Sequence, residues 1–219
     1  MAGFGDIELN TLIQEDVFEK VGNYICFCCE EMKSDLCNKG EKVPNDENKI
    51  RNHLLETYLD DSLNRRKQNM MMFKFMPESL ENYDDEKFSY EGRVDIKIVN
   101  QNEWFENGEA AYFVECKRLD GNKRLNDEYV KNGIARFVVK PLHYSSHYNK
   151  NYMLGFIIKN ININENVKKI EKIQDTNTKI NNQSGFIQSE KNLNYDCTYD
   201  VGSRVIELRH MFADLSDVV

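Results

Sequence analysis

A chain of 219 residues, 40% apolar and 30% charged, has the size and balance of one globular domain, or of a domain with an extension, and is long enough to bury a core. It contains no apolar run of about eighteen residues, and its start, MAGFGDIELN, is acidic, so neither a membrane span nor a secretory leader is expected and the expected location is cytoplasmic. A net charge of -8 argues against a surface that is basic throughout, yet the charge is uneven: residues 1–60 hold thirteen acids against six Lys and Arg, and 118–150 hold seven Lys and Arg against three acids.

In chain order, Leu9, Leu12, Ile13, Val17, Phe18 and Val21 recur at helical spacing, which predicts an amphipathic helix over 7–32, interrupted near Gly22. Residues 1–44 are read as an N-terminal helical extension and 45–219 as the main domain. Cys26, Cys28, Cys29 and Cys37 lack the paired C-x-x-C knuckles of zinc sites, so free thiols are the default and zinc the alternative. Gly40 and Pro44 mark a loop. A second helix over 46–61 follows, with Asn45 or Asp46 as N-cap and Ile50, Leu54, Leu55, Tyr58 and Leu59 on one side. Glu47 falls within that apolar arc and Glu56 opposite it; a first-turn acid is also favourable on the helix dipole.

Residues 70–77, MMMFKFMP, read as the first strand, and the acidic stretch 78–90 as an irregular connection. Residues 91–99, EGRVDIKIV, read as a strand with Val94, Ile96 and Ile98 on one face and Arg93, Asp95 and Lys97 on the other. After a polar loop, AAYFVECKRL (110–119) forms the next strand, with Phe113, Glu115 and Lys117 on one side. Two acids thus interrupt two adjacent apolar runs. A hairpin would bring Asp95 and Glu115 together with Lys117 beside them; a solvated, salt-bridged strand face is the other reading.

Beyond the turn at Asp120-Gly121, Leu125, Tyr129, Val130, Gly133, Ile134, Phe137 and Val138 keep helical spacing up to Pro141. Gly133 inside a helix implies close packing against the sheet. Residues 152–159 read as a fourth, buried strand, 161–173 as a helix, the polar segment 175–200 as a long loop with a short strand near Phe186, and 203–215 as the last strand. His210, near its end, is a phosphate-ligand candidate or a structural histidine.

Asp95 followed by Glu115-Cys116-Lys117 resembles the signature of the PD-(D/E)XK, or restriction-endonuclease-like, nuclease superfamily over roughly residues 45–160. Val94 stands where that signature often has Pro. Tyr129 followed by Gly133-Ile134-Ala135-Arg136-Phe137 resembles the helix after the acid-x-lysine strand in such nucleases. The resemblance implies an α/β fold with a restriction-endonuclease-like core, a central mixed sheet of four to five strands flanked by helices. It implies phosphodiester hydrolysis with Mg2+, for which Mn2+ can substitute, held by Asp95, Glu115 and the Cys116 backbone carbonyl. Lys117 would position the attacking water, and Glu47 would orient the site or bind a second ion. Arg118, Tyr129, Lys131 and Arg136 become candidates for substrate binding, with solubilising charge as the other reading of Lys131 and Arg136. The substrate is expected to be DNA, with RNA open. An acidic chain without a base-reading module is expected to rely on a protein partner for recognition or translocation, as in a bacterial defence or DNA-repair complex, or to form a homodimer. The alternative function is a catalytically inactive member of the fold that binds nucleic acid or organises an assembly.

Overall fold

The computed structural model describes residues 7–144, 147–189 and 194–219, without the side chains of 7–12 and 106, so those of Leu9 and Leu12 lie outside the described residues. It is an α/β fold with a seven-stranded mixed sheet in the order β1-β2-β3-β4-β7-β6-β5. The strands are β1 (Phe73–Asp84), β2 (Ser89–Asn100), β3 (Ala111–Leu119), β4 (Lys150–Ile157), β5 (Ile187–Gln188), β6 (Tyr195–Asp200) and β7 (Val205–Asp214).

The sheet exceeds the expected four to five strands for a definite reason. The acidic stretch 78–90 is not an irregular connection but the outer part of a long β1–β2 hairpin, paired from Phe73↔Asn100 to Asp84↔Ser89. Leu80, Tyr83, Phe88 and Tyr90 are exposed there while the charged Glu81 is buried, so the apolar-in, polar-out alternation that betrays a strand is lost. The polar segment 175–200 likewise holds β5 and β6 at the opposite edge.

β2 and β3 form the expected antiparallel pair, and β3 then pairs in parallel with β4, and β4 with β7. The loop between β2 and β3 contains a short helix, α4 (Gln101–Glu106), capped by the Asn100 side chain. The β3–β4 crossover is helical: α5 (Lys123–Tyr129) runs through a π-helical turn, Val130–Ile134, into α6 (Ala135–Val138). Gly133 sits in that turn, where a Cβ would meet the Met153 methyl at 2.6 Å and the Lys117 stem at 3.5 Å, so its lack of a side chain lets the helix lie on β3 and β4.

Helices cover both faces. On one, α1 (Ile7–Lys39) runs unbroken through Gly22 and beyond the predicted end at 32. Gly22 is a contact rather than a break, since a Cβ there would lie 3.4 Å from the Tyr152 ring. Phe18, Val21, Ile25, Met32 and Leu36 of α1 share one core with Ile96, Tyr112, Leu154 and Met211 of the sheet. Beside α1 lies α2 (Glu47–Leu54), capped by the Asp46 carboxylate on Lys49 N–H and extended by a π-helical turn, Leu55–Leu59, into the short α3 (Ser62–Lys67). On the other face, the α5–α6 run and α7 (Ile163–Asp175) enclose a second core with Phe113, Met153, Ile157 and Leu208. No helix among the described residues is long and apolar enough to cross a membrane.

Candidate active site

The strand period puts Glu115 and Lys117 on one face of β3, and α2 brings Glu47 to them. Lys117 Nζ donates to Glu115 Oε1 and Glu47 Oε1, both at 2.9 Å, and to the Cys116 carbonyl at 2.7 Å. The second Glu47 oxygen accepts the Arg118 backbone N–H at 3.1 Å, which ties the first turn of α2 to β3. This is the sheet-facing position that the helical arc assigned to Glu47.

Asp95 enters from β2. The β2–β3 ladder ends at Ile96↔Val114, and just beyond it the Asp95 carboxylate takes the place of a backbone partner, with Oδ2 accepting the Cys116 N–H at 2.8 Å. Its other oxygen accepts from Arg51 Nη1 at 2.6 Å. Arg51 is 2% exposed, stands one turn after Glu47 on α2, and also reaches Glu78 Oε1 at 2.7 Å. The backbone of Glu78 has φ +45, at the point where β1 skips its pairing with Asp95. Neither Arg51 nor Glu78 was a candidate from sequence, although the i,i+4 placement of Glu47 and Arg51 on one helix face was a usable signal.

Glu115 is 0% exposed. Besides Lys117, its Oε1 accepts from Arg136 Nη1 at 2.9 Å and its Oε2 from the Tyr144 hydroxyl at 2.6 Å. Burial pushes the Glu115 carboxyl up to about 7, because desolvation outweighs the pull of Lys117 and Arg136 while the Asp95 charge pushes in the same direction as burial. Burial alone would discharge Lys117, yet Glu115, Glu47 and Asp95 together hold its ammonium charged well above the ordinary lysine range. Tyr144, buried against Glu115, stays protonated and donates.

The site opens to solvent through two cavities of about 500 and 290 Å³, which meet at Glu47, Asn48, Lys117 and Arg136; Asp95 and Glu115 line the smaller one. Among the residues proposed for substrate binding, Arg118 lines the larger cavity, with its guanidinium on the Asn45 carbonyl and side-chain oxygens at 2.7 Å. Arg136 stands at the junction of the two. Lys131 lies further along the helix, paired loosely with Asp127 at 3.7 Å. Tyr129 does not reach the cleft: it is 0% exposed and hydrogen-bonded to His210 Nδ1 at 2.9 Å. Its spacing with Gly133 and Phe137 marks the face packed on the sheet, so it is a core residue. His210 is fully buried, and burial depresses its pKa to about 3, which keeps the ring neutral and leaves it no part in anion binding.

Among the described residues no group of three or more His, Cys, Asp or Glu side chains forms a metal-binding cluster. Cys26, Cys28, Cys29 and Cys37 are free thiols on one helix, Cys28 and Cys29 turned into the core and Cys37 exposed. Hard oxygen donors nevertheless converge at one point: Glu47, Glu115 and the Cys116 carbonyl surround the Lys117 ammonium at 2.7–2.9 Å. The oxygens of that cradle suit a small divalent cation, but the Lys117 ammonium stands among them, so a cation fits there only with Lys117 displaced toward the cleft. The cradle's membership differs from the expected set, since Glu47 contributes an oxygen while Asp95 is engaged by Arg51 and Cys116 N–H.

Fold and site together define an α/β protein with a carboxylate–ammonium cleft where two antiparallel strands separate. Compared with family models, curated proteins and solved structures, the chain finds no match.

Proposed function

We propose that this chain is a divalent-cation-dependent nuclease of the restriction-endonuclease-like kind, hydrolysing phosphodiester bonds in DNA. The observation that carries the reading is the meeting of Glu47, Asp95, Glu115 and Lys117 along one open cleft, with Arg136 at its junction. With the Lys117 ammonium swung out from among them, Glu47, Glu115 and the Cys116 carbonyl would hold a divalent cation, which would supply a lowered pKa for a bound water and offset charge on the phosphoryl oxygens. Lys117, a point charge on a flexible stem, holds the attacking water and balances charge on the scissile phosphate. Arg51 keeps Asp95 against the Cys116 N–H, so that the Cys116 carbonyl stays aimed at the cradle. Tyr144 and Arg136 fix both oxygens of Glu115, and Arg118 and Arg136 bind phosphate on either side of Lys117. With its net charge of -8, the chain works in the cytoplasm with a partner that supplies recognition or translocation.

The test is incubation of the purified protein with plasmid, single-stranded DNA and RNA in Mg2+, Mn2+ or EDTA. Metal-dependent cleavage that disappears in Lys117→Ala, with the circular dichroism spectrum retained, is the expected result; intact substrates under every metal condition would defeat the reading. Co-purification from native extract tests the partner, and a solitary monomer that cuts avidly at physiological salt counts against it.

One observation favours the second reading, an inactive nuclease-fold module that binds nucleic acid or organises an assembly. The oxygens of Asp95 and Glu115 are already satisfied by Arg51, Lys117, Arg136, Tyr144 and the Cys116 N–H. Nucleic-acid binding without cleavage in any metal selects it.

A further inference from the structure

A third cavity, of about 270 Å³, adjoins the cleft and shares Arg136 with both of its parts and His143 with the smaller one. Its charged lining is Lys131, Arg136 and Lys140, with His143 and Asn132 beside them, and no described carboxylate lines it. This contrasts with the rest of the molecule, where 37 acids outnumber 29 Lys and Arg, and with the larger cavity, whose cations face Asp46, Glu47 and Glu128. Like charges gathered around a concavity repel one another unless an anion joins them. Of the three cations, Arg136 engages Glu115, Tyr144 and the Arg93 carbonyl through Nη1, its one hydrogen-bonding nitrogen among the described residues. Lys131 has its loose pair with Asp127 on the rim, and Lys140 is exposed. The His143 ring donates its Nδ1–H to the Glu91 carbonyl at 2.7 Å, so in the neutral ring Nε2 is an acceptor and the phosphate contacts fall to the three cations.

The geometry points to a phosphate-binding pocket formed by Lys131, Arg136 and Lys140, which holds a phosphate of the nucleic-acid strand next to the one in the cleft. The pocket is defined by its own charge; the identity of the ligand as nucleic acid rests on the proposed function. The shared chemistry is phosphate, either a terminal monoester or an internal diester. Arg136 links the pocket to Glu115, so a strand seated here is held against the carboxylate cluster.

The test is fluorescence anisotropy in EDTA, using oligonucleotides with a 5′-phosphate, a 3′-phosphate or hydroxyl ends, on wild type and on the Lys131→Ala, Lys140→Ala double variant across a salt series. Both lysines are exposed, and an unchanged melting temperature confirms folding. The variant is expected to bind about tenfold more weakly at low salt, with the slope of log K against log salt falling by about 0.7 for each cation removed on single strands, or about 0.9 on duplex. A loss confined to one phosphorylated end identifies a terminal phosphate, and a uniform loss identifies an internal one. Unchanged affinity and slope, or a wild type that binds none of the oligonucleotides, overturns the pocket. Cleavage in Mg2+ is scored separately. Binding lost in the variant but no cleavage by wild type keeps the pocket and sinks the nuclease; cleavage with unaltered binding does the reverse.

Discussion

Glu115 is the residue whose protonation the fold alters most tellingly. An unfolded glutamate loses its proton near 4.5, whereas burial moves this one to about 7. Between those values the native state holds the extra proton, so stability falls as pH rises; the advantage is whole below pH 4.5 and gone above about 7. Glu115→Gln removes the titration. Melting curves of both proteins from pH 4.5 to 7.5 should show the wild type losing roughly 2–3 kcal/mol relative to the variant as pH increases. A constant difference would mean that Glu115 titrates normally. At this scale Asp95, Glu115 and Lys117 were legible because charge inside an apolar strand breaks its period. Tyr144 was not, because it reaches Glu115 from an irregular loop 29 residues away in sequence.

Among the elements, α2 does most to assemble the site, since Glu47 and Arg51, one turn apart, reach β3 and β2 respectively. Removing the Arg51 guanidinium leaves Asp95 uncompensated and nearly enclosed, so Arg51→Ala is expected to cost about 3–5 kcal/mol in urea unfolding. Glu78 adds little to that figure because its side chain is 38% exposed. Arg51→Lys, with charge but no fork, should fall between. A loss under about 1 kcal/mol for Arg51→Ala would remove Arg51 from the account. Two glycines hold the helix and loop flanking the cleft, and they should respond differently to alanine. At Gly92 of β2 a Cβ would lie 2.3 Å from the His143 carbonyl oxygen, which is backbone and cannot yield, so Gly92→Ala should cost about 1–3 kcal/mol. At Gly133 the obstacle is the flexible end of Met153, and helix propensity favours alanine, so Gly133→Ala should cost less. Thermal unfolding of the pair checks the order; equal losses would contradict it.

At the scale of the molecule, α1 closes one face of the sheet. Phe18, Val21, Ile25, Met32 and Leu36 are all buried there, and at about 1.5–3 kcal/mol each their burial is comparable with the whole stability of an ordinary domain. A chain starting at residue 45 is therefore expected not to fold, as judged by limited proteolysis and near-ultraviolet dichroism. A protease-resistant, cooperatively melting fragment would show instead that residues 1–44 are an appendage.

The sequence by itself determined the α/β class, the β2–β3 pair, the helical crossover that follows and the shared strand face of Glu115 and Lys117, because each depends on a period of two or of 3.6 read over a few residues. Only the tertiary structure decided that the sheet has seven strands, that α2 brings Glu47 to Lys117, that Tyr129 is core, that Arg51 and Tyr144 complete the charge balance, and that Lys131, Arg136 and Lys140 surround a pocket with no described carboxylate in its lining. Those outcomes depend on which distant segments cover a given surface, and local periodicity carries no record of that.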